Sequence, residues 1–376
     1  MSSLYFDHNA TTPLAPEVAA TYASALRDVY GNASSVHTTG QTAKLRLEQS
    51  RRTVAAFVNA SPGELVFTSG GTESNNLAIL GLIRALPAGP KHLIASAIEH
   101  PAVLETARQL ERDDVAVSYA RTGADGIVQP EEILHHLRPE TVLISVMHAN
   151  NEVGTIQPIQ EFARIAHEHG AYFHSDGVQA LGKIDVDVQA LGVDLYSMSA
   201  HKIFAPKSVG ALFVRKGIPF RGIQSGGHHE RERRAGTENV PGIIAFAAAV
   251  ELCRKRADIA SVRDRFEAQV GGEINGDRSH RLPNTSNLLF RAVSGEAIVI
   301  ALDMRGMAVS TGSACSSGSI EPSHVLLAMG RTVEEARSSV RFSFGPENTL
   351  EDADRLAAAI DECMGKLRKE AHHVAV

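Results

Sequence analysis

Short apolar runs recur along the chain, each bounded by polar or turn-forming residues: Leu65 to Thr68, Leu93 to Ala97, Leu143 to Met147, Ala171 to His174, Leu195 to Met198 and Ala211 to Val214. Each run is too short for a helix and is apolar on successive positions, so it reads as a strand buried on both faces. Amphipathic stretches fill the intervals. Ile159, Phe162, Ile165 and Ala166 share one helical face before a stop at Gly170, and Pro101 suits a first helical position. The alternation predicts an α/β architecture: a mostly parallel sheet with helices on both sides. After about Ala260 the pattern changes to a strand-like Asn287 to Phe290, a glycine- and serine-rich stretch, an alternating Val340 to Phe344 and a closing helix from about Leu350. This predicts a smaller α+β unit at the C-terminal end.

The composition narrows the function classes. With 376 residues, 43% of them hydrophobic, the chain can bury more than one core, and a formal charge of -6 without a basic stripe argues against direct nucleic-acid binding. No segment approaches the ~20 continuous apolar residues that cross a bilayer, and Met1 to Asp7 lacks a basic leader, so a cytoplasmic protein is expected. Three cysteines give neither a disulfide framework nor metal-ligand spacing. Cys253 and Cys363 fall at helical spacing among apolar residues and read as buried helix-face positions. Cys315 instead lies in Ser310-Thr311-Gly312-Ser313-Ala314-Cys315-Ser316-Ser317-Gly318-Ser319, which has no apolar period and reads as a loop.

Several segments carry candidate chemistry where strands should end, the usual place for ligands on open α/β sheets. Thr68-Ser69-Gly70-Gly71-Thr72 runs from a strand into a helix, where free N–H groups and the helix dipole suit a phosphate and Gly71 permits close approach. No P-loop lysine accompanies it, and a plain glycine turn is the bland reading. Asp176 follows the buried strand Ala171 to His174; a carboxylate there either pairs with a protonated ring nitrogen or caps a helix. Lys202, after a further strand, is placed to offer an amine to an aldehyde, with burial and nearby cations lowering its proton affinity.

The ordered set of these segments resembles the fold type I pyridoxal-phosphate enzymes of the class V aminotransferase family, and specifically the cysteine desulfurases. The likeness runs through Tyr5 to Pro13, Thr68 to Asn76, Glu99 to Val103, Asn150 to Gly154, Asp176 to Gln179, Ser199 to Lys202, Arg234 to Thr237, Ser313 to Cys315 and Arg341 to Ser343. It implies a large, mostly parallel seven-stranded sheet domain, here residues 15-258, and a small domain from 1-14 and 259-376. It implies pyridoxal phosphate as cofactor, with Lys202 as the Schiff-base lysine, Asp176 at the pyridine nitrogen and His100 stacked on the ring as a proton shuttle. Gln179 and Asn151 would approach the ring hydroxyl, and Gly71, Thr72, Ser199 and His201 would hold the phosphate. Thr237 would reach the cofactor of a second subunit, which makes the expected assembly a homodimer.

By the same resemblance Cys315 accepts sulfur from L-cysteine as a persulfide, releasing alanine, and Glu321-Pro322-Ser323-His324 marks the longer-loop subgroup that hands sulfur to a separate acceptor protein, as in iron–sulfur cluster assembly or thiolation. Cys315, Lys202 and His100 are thus the expected catalytic residues. Arg341, alternating with Val340 and Phe342, should face away from the core and either grip the substrate carboxylate by two parallel hydrogen bonds or form a rim salt bridge. Asn32 and Asn151 are further substrate contacts. Outside the resemblance, His100 reads as ordering a helix entrance and Asn151 as a turn residue. Ala205 and Ser208 depart from the family's glycines. His228 and His229 lack accompanying ligands, so no metal is expected. A related lyase or aminotransferase that does not need Cys315, and an inactive scaffold, are the rival readings.

Overall fold

A computed structural model describes residues 4–255, 258–312 and 321–374. Among the described residues twelve strands are formed: β1 (Leu4–Tyr5), β2 (Leu65–Thr68), β3 (His92–Ser96), β4 (Ala116–Ala120), β5 (Thr141–Ser145), β6 (Tyr172–Asp176), β7 (Leu195–Ser199), β8 (Gly210–Val214), β9 (Glu273–Ile274), β10 (Thr285–Leu289), β11 (Met307–Ala308) and β12 (Ser339–Ser343). Seven make one sheet in the order β2-β8-β7-β6-β5-β3-β4. All neighbours are parallel except β8, which runs against both β2 and β7. Two reversals leave β2 pointing the same way as β7. The last residues of β2, β3, β5, β6 and β7 therefore share one edge, and every loop leaving that edge is available to a single site.

The all-apolar reading of the central strands is matched by burial: all residues of β2, β3, β7 and β8 are inaccessible. One core lies between the sheet and the helices Pro16–Asp28, Thr38–Phe57 and Val240–Cys253; another forms against Gly71–Ile83 and Pro101–Arg112 on the opposite face. The strand without a sequence signal is β4. It lies at the sheet edge with alternating partial exposure, so its residues Ala-Val-Ser-Tyr-Ala need no continuous apolar run.

The C-terminal part builds its own sheet, β12-β10-β9, and its own core around Phe266, Phe290, Phe342 and Phe344. The N-terminus joins that part. β1 pairs in parallel with β11, Phe6 is buried in the same core, and Asp7 bridges to Ser343. Cys363 is buried as expected, whereas Cys253, the last residue of its helix, is only half-buried because the helix ends at the rim of the core.

Candidate active site

Three glycines set the backbone on which the site is built. Gly70 takes φ +148°, open to glycine alone, and a side chain on Gly71 would come within 2.7 Å of Val178 Cγ2. The start of the helix Gly71–Ile83 is thereby laid against the end of β7 with its first N–H groups free of intrahelical partners. Gly177 is more constrained: a Cβ there would meet Tyr196 Cζ at 1.9 Å, and the fully buried Tyr196 is itself bonded to His148 Nδ1 at 2.8 Å. The turn carrying Val178 and Gln179 thus packs directly on an immovable ring.

The edge loops enclose a cavity of about 370 Å3 lined by Gly71, Thr72, His100, Asn151, Asp176, Gln179, Ser199, His201, Lys202 and Arg341, together with Asn9 and Asn75. Ten of the residues singled out in the sequence therefore converge. Asn32 and Thr237 do not line it; both are exposed, and Asn32 Oδ1 accepts from Ser34 N at 2.8 Å. Cys315 lies outside the described residues, which resume at Glu321.

Asp176 ends β6 and is buried. Its Oδ2 accepts from Asn75 Nδ2 at 2.6 Å and its Oδ1 from Val178 N at 2.9 Å, so it orders a turn rather than capping a helix. Ser199 ends β7 with an inaccessible hydroxyl that has no hydrogen-bond partner, beside the Gly70-Gly71 cradle. Lys202 follows on a single 3-10 turn and donates from Nζ to the carbonyls of Asn9 at 2.5 Å and Ala10 at 2.6 Å. Burial, and next the positive charge of Arg341, push its pKa down to about 8 against the pull of Asp7 and Asp176. His201 is pushed down to about 4, first by burial and then by Lys202.

His100 does cap the helix Pro101–Arg112: its Nδ1 accepts from Ala102 N at 3.0 Å, which leaves the proton of the neutral ring on Nε2. Burial lowers its proton affinity, and Asp176 opposes that shift. The turn at Asn150-Asn151 is ordered by Asn150, whose Oδ1 accepts from Glu152 N and Val153 N, while Asn151 lines the cavity. Arg341 lines the cavity with Val340 and Phe342 directed into the core, and it is buried itself. Nη2 pairs with Asp7 at 2.7 Å, Nη1 donates to Asn151 O at 3.0 Å, and Nε is buried without a partner. Ser208 holds φ +63° in the glycine region, so the turn after Lys202 is kept at some strain, and Ala205 is buried in the core.

Asn9 is the residue the sequence pattern did not single out. It donates from Nδ2 to Asn151 O and Thr285 Oγ1, accepts at its carbonyl from Gln179 and Lys202, and receives Lys183 and Asn284 at Oδ1. One amide thus joins the site to the C-terminal sheet. Its only sequence signal was membership of the Tyr5 to Pro13 segment.

The donor set fits pyridoxal phosphate: an unpaired buried hydroxyl beside helix N–H groups for a phosphate, an acid for a ring nitrogen and an amine of lowered pKa for an aldehyde. No helix is long and apolar enough to cross a membrane, and no group of three metal-ligating side chains occurs among the described residues.

Comparison with known proteins agrees with this chemistry. The family model described as aminotransferase class-V matches residues 4–356. A cysteine desulfurase IscS from Dictyoglomus turgidum is 46% identical over 375 residues, covering 97% of this chain and 95% of the relative. Among solved structures, a NifS-like protein superimposes with a TM-score of 0.92 at 35% identity, covering 97% of this chain and 100% of that one. SspA, solved in complex with cysteine, gives 0.84 at 34% identity, covering 92% and 100%. With matches of this extent, the chain belongs to the class-V aminotransferase family, in the group of the cysteine desulfurases.

Proposed function

We propose that the protein is a cytoplasmic, homodimeric pyridoxal-phosphate enzyme that converts L-cysteine to L-alanine and takes the sulfur on Cys315 as a persulfide, for delivery to an acceptor protein of iron–sulfur cluster assembly or thiolation. The observation that carries this reading is the convergence of Lys202, Asp176 and the unpaired Ser199 hydroxyl on one cavity. When bound, the cofactor supplies an aldehyde for an amine and a ring that accepts electron density from the substrate α-carbon.

The chain's own residues supply the rest. Lys202, with a pKa near 8, has a neutral fraction at physiological pH that serves as nucleophile and proton carrier at Nζ. Asp176 has its two oxygens fixed by Asn75 and Val178 N, which keeps it aimed at the ring nitrogen. His100 presents Nε2 for stacking and proton transfer, and Gln179 with Asn151 holds the ring oxygen. Gly71, Thr72, Ser199 and His201 hold the phosphate, joined by Thr237 from the partner subunit. Arg341 offers its unpaired Nε to the substrate carboxylate while Asp7 secures the far side of the guanidinium, and Asn32 would be a further substrate contact. The Cys315 thiolate attacks the substrate sulfur, so that an S–S bond forms as the substrate Cβ–S bond breaks; the electron pair of that bond goes to the substrate carbon, where protons returned by Lys202 and His100 complete alanine. The large unit, 15–258, and the small one, 1–14 with 259–376, would both contribute residues to this site.

Mass spectrometry after incubation with L-cysteine tests the reading: the peptide containing Cys315 is expected to gain one sulfur atom. A Cys315→Ala variant should keep the visible band of the bound cofactor and make almost no alanine. Alanine formation at the original rate in that variant would sink the proposal.

A further inference from the structure

Lys183 is a half-buried residue with no part in the chemistry above. It stands four residues after Gln179 in a tightly turned segment, where Lys183 N bonds to Ala180 O and Leu181 N to Gly177 O. Its Nζ donates to Gln179 Oε1 at 2.5 Å and to Asn9 Oδ1 at 2.7 Å. Both acceptors are neutral. The charges acting on it are the cations Lys202 and Arg341, and burial leads in lowering its pKa well below the lysine range.

The carbonyl of Asn9 can only accept, so the Gln179 nitrogen faces it and the Gln179 oxygen is the atom that receives Lys183 Nζ. The amide nitrogen then has to turn the other way, and one of its hydrogens goes to Asn9 O at 2.9 Å. The second hydrogen is left for the cavity that Gln179 lines. Without that neighbour a half-turn of the amide is opposed only by the loss of the Asn9 O hydrogen bond, and the turned amide would offer its oxygen to the same place. We propose that Lys183 is a positioning residue that locks the Gln179 amide with its N–H toward the ring oxygen of the cofactor. The inference rests on the pyridoxal-phosphate reading given above.

A locked donor stabilises the deprotonated ring oxygen, and a flipped amide repels it. The groups that also bear on this titration are Asp176, Lys202, His100, His201 and Arg341 around the cavity, with Asp7 behind Arg341; all are retained in the variants. The test is a pH titration of the visible absorbance band in holoenzymes carrying Lys183→Met, Lys183→Arg, Gln179→Leu or both Lys183→Met and Gln179→Leu. Loss of one hydrogen bond to a charged acceptor predicts a rise of the midpoint by about one pH unit in Lys183→Met. Lys183→Arg keeps a donor and should remain near the original midpoint. Gln179→Leu should show the same rise, and the double variant no further one. Thermal unfolding identifies a variant that has lost its fold, and Lys183→Ala then repeats the measurement. If the unaltered protein acquires no visible band with the cofactor, the functional reading itself fails. If it does and Lys183→Met titrates as before, or the two single rises add in the double variant, the positioning role is overturned.

Discussion

The turn at Glu230-Arg231-Glu232 is held in a conformation that these residues do not favour, with φ of +46°, +58° and +67°. At about 1–2 kcal/mol for each non-glycine residue, the turn stores roughly 3–6 kcal/mol. It is held by the Glu230 carboxylate, which receives Arg51 Nη2 at 2.6 Å, Arg51 Nη1 at 2.8 Å and Phe67 N at 2.8 Å. The side chains of Arg51 and Glu230 are 4% and 2% exposed, so neither ion has water to turn to. Glu230→Ala leaves Arg51 with Glu48 Oε1 at 3.1 Å and the Leu65 carbonyl but strips its two-point partner, and should cost about 3 kcal/mol, the low end of the penalty for breaking a buried pair. That is a large part of the roughly 5–15 kcal/mol that keeps a domain folded. Replacing both ions, Arg51→Met with Glu230→Leu, removes the stranded charge and leaves the Phe67 amide as the main loss, about 1–3 kcal/mol. Urea unfolding followed by far-ultraviolet circular dichroism compares the three proteins. Arg51→Met/Glu230→Leu as unstable as Glu230→Ala, or Glu230→Ala within 1 kcal/mol of the parent, would refute the reasoning.

Gly177→Ala should lose at least about 3 kcal/mol in thermal unfolding, because its Cβ would overlap the Tyr196 ring, and Tyr196→Leu in the same chain should recover part of it. Glu99 is fully buried and its pKa is raised to about 8, chiefly by desolvation. The folded protein therefore binds a proton that the unfolded chain has released above about pH 4.5, and stability falls as pH rises from there to about 8. Glu99→Gln should flatten that part of the stability–pH curve; an unchanged slope would show that Glu99 titrates normally. His174 is pushed the other way, down to about 3, by burial between Ser145 and Ser197. The unfolded chain then binds the extra proton, and this contribution to stability disappears as pH falls below 6.5 toward 3. Calorimetry in buffers of different ionisation enthalpy should find about one proton fewer taken up on unfolding of His174→Gln at pH 5.

What the sequence disclosed follows the range of the forces involved. The central strands were legible because burial on two faces demands an unbroken apolar run, and Asp176 and Lys202 because they stand just beyond such runs. β4 was hidden because an edge strand needs no such run. Arg51 with Glu230, and Asn9 with Thr285 and Asn284, were hidden because partners far apart in sequence leave no local period to read. Glu99 stood in a motif, yet nothing in the motif indicates that its Oε2 is buried and unpaired. Cys253 was assigned full burial from helical spacing alone, which carries no information on where a helix ends.

The pairing of the first residues with some of the last has a consequence for synthesis. Asn9 N reaches Ser343 Oγ across 334 positions, and Asp7 holds Arg341 across the same interval. A ribosome adding about 5–20 residues per second needs roughly 15–70 s to make that span. Throughout that time Asp7 and the Asn9 backbone amide lack their C-terminal partners, although Asn9 can already meet Asn151, Gln179 and Lys202. The large sheet is complete by Val214 and can fold in the meantime, so the newborn chain passes through a stage with a formed scaffold and an unfinished pocket. The cofactor contacts assigned within one subunit all precede Val214 and belong to that scaffold, whereas the substrate-binding Arg341 has to wait for the final strand.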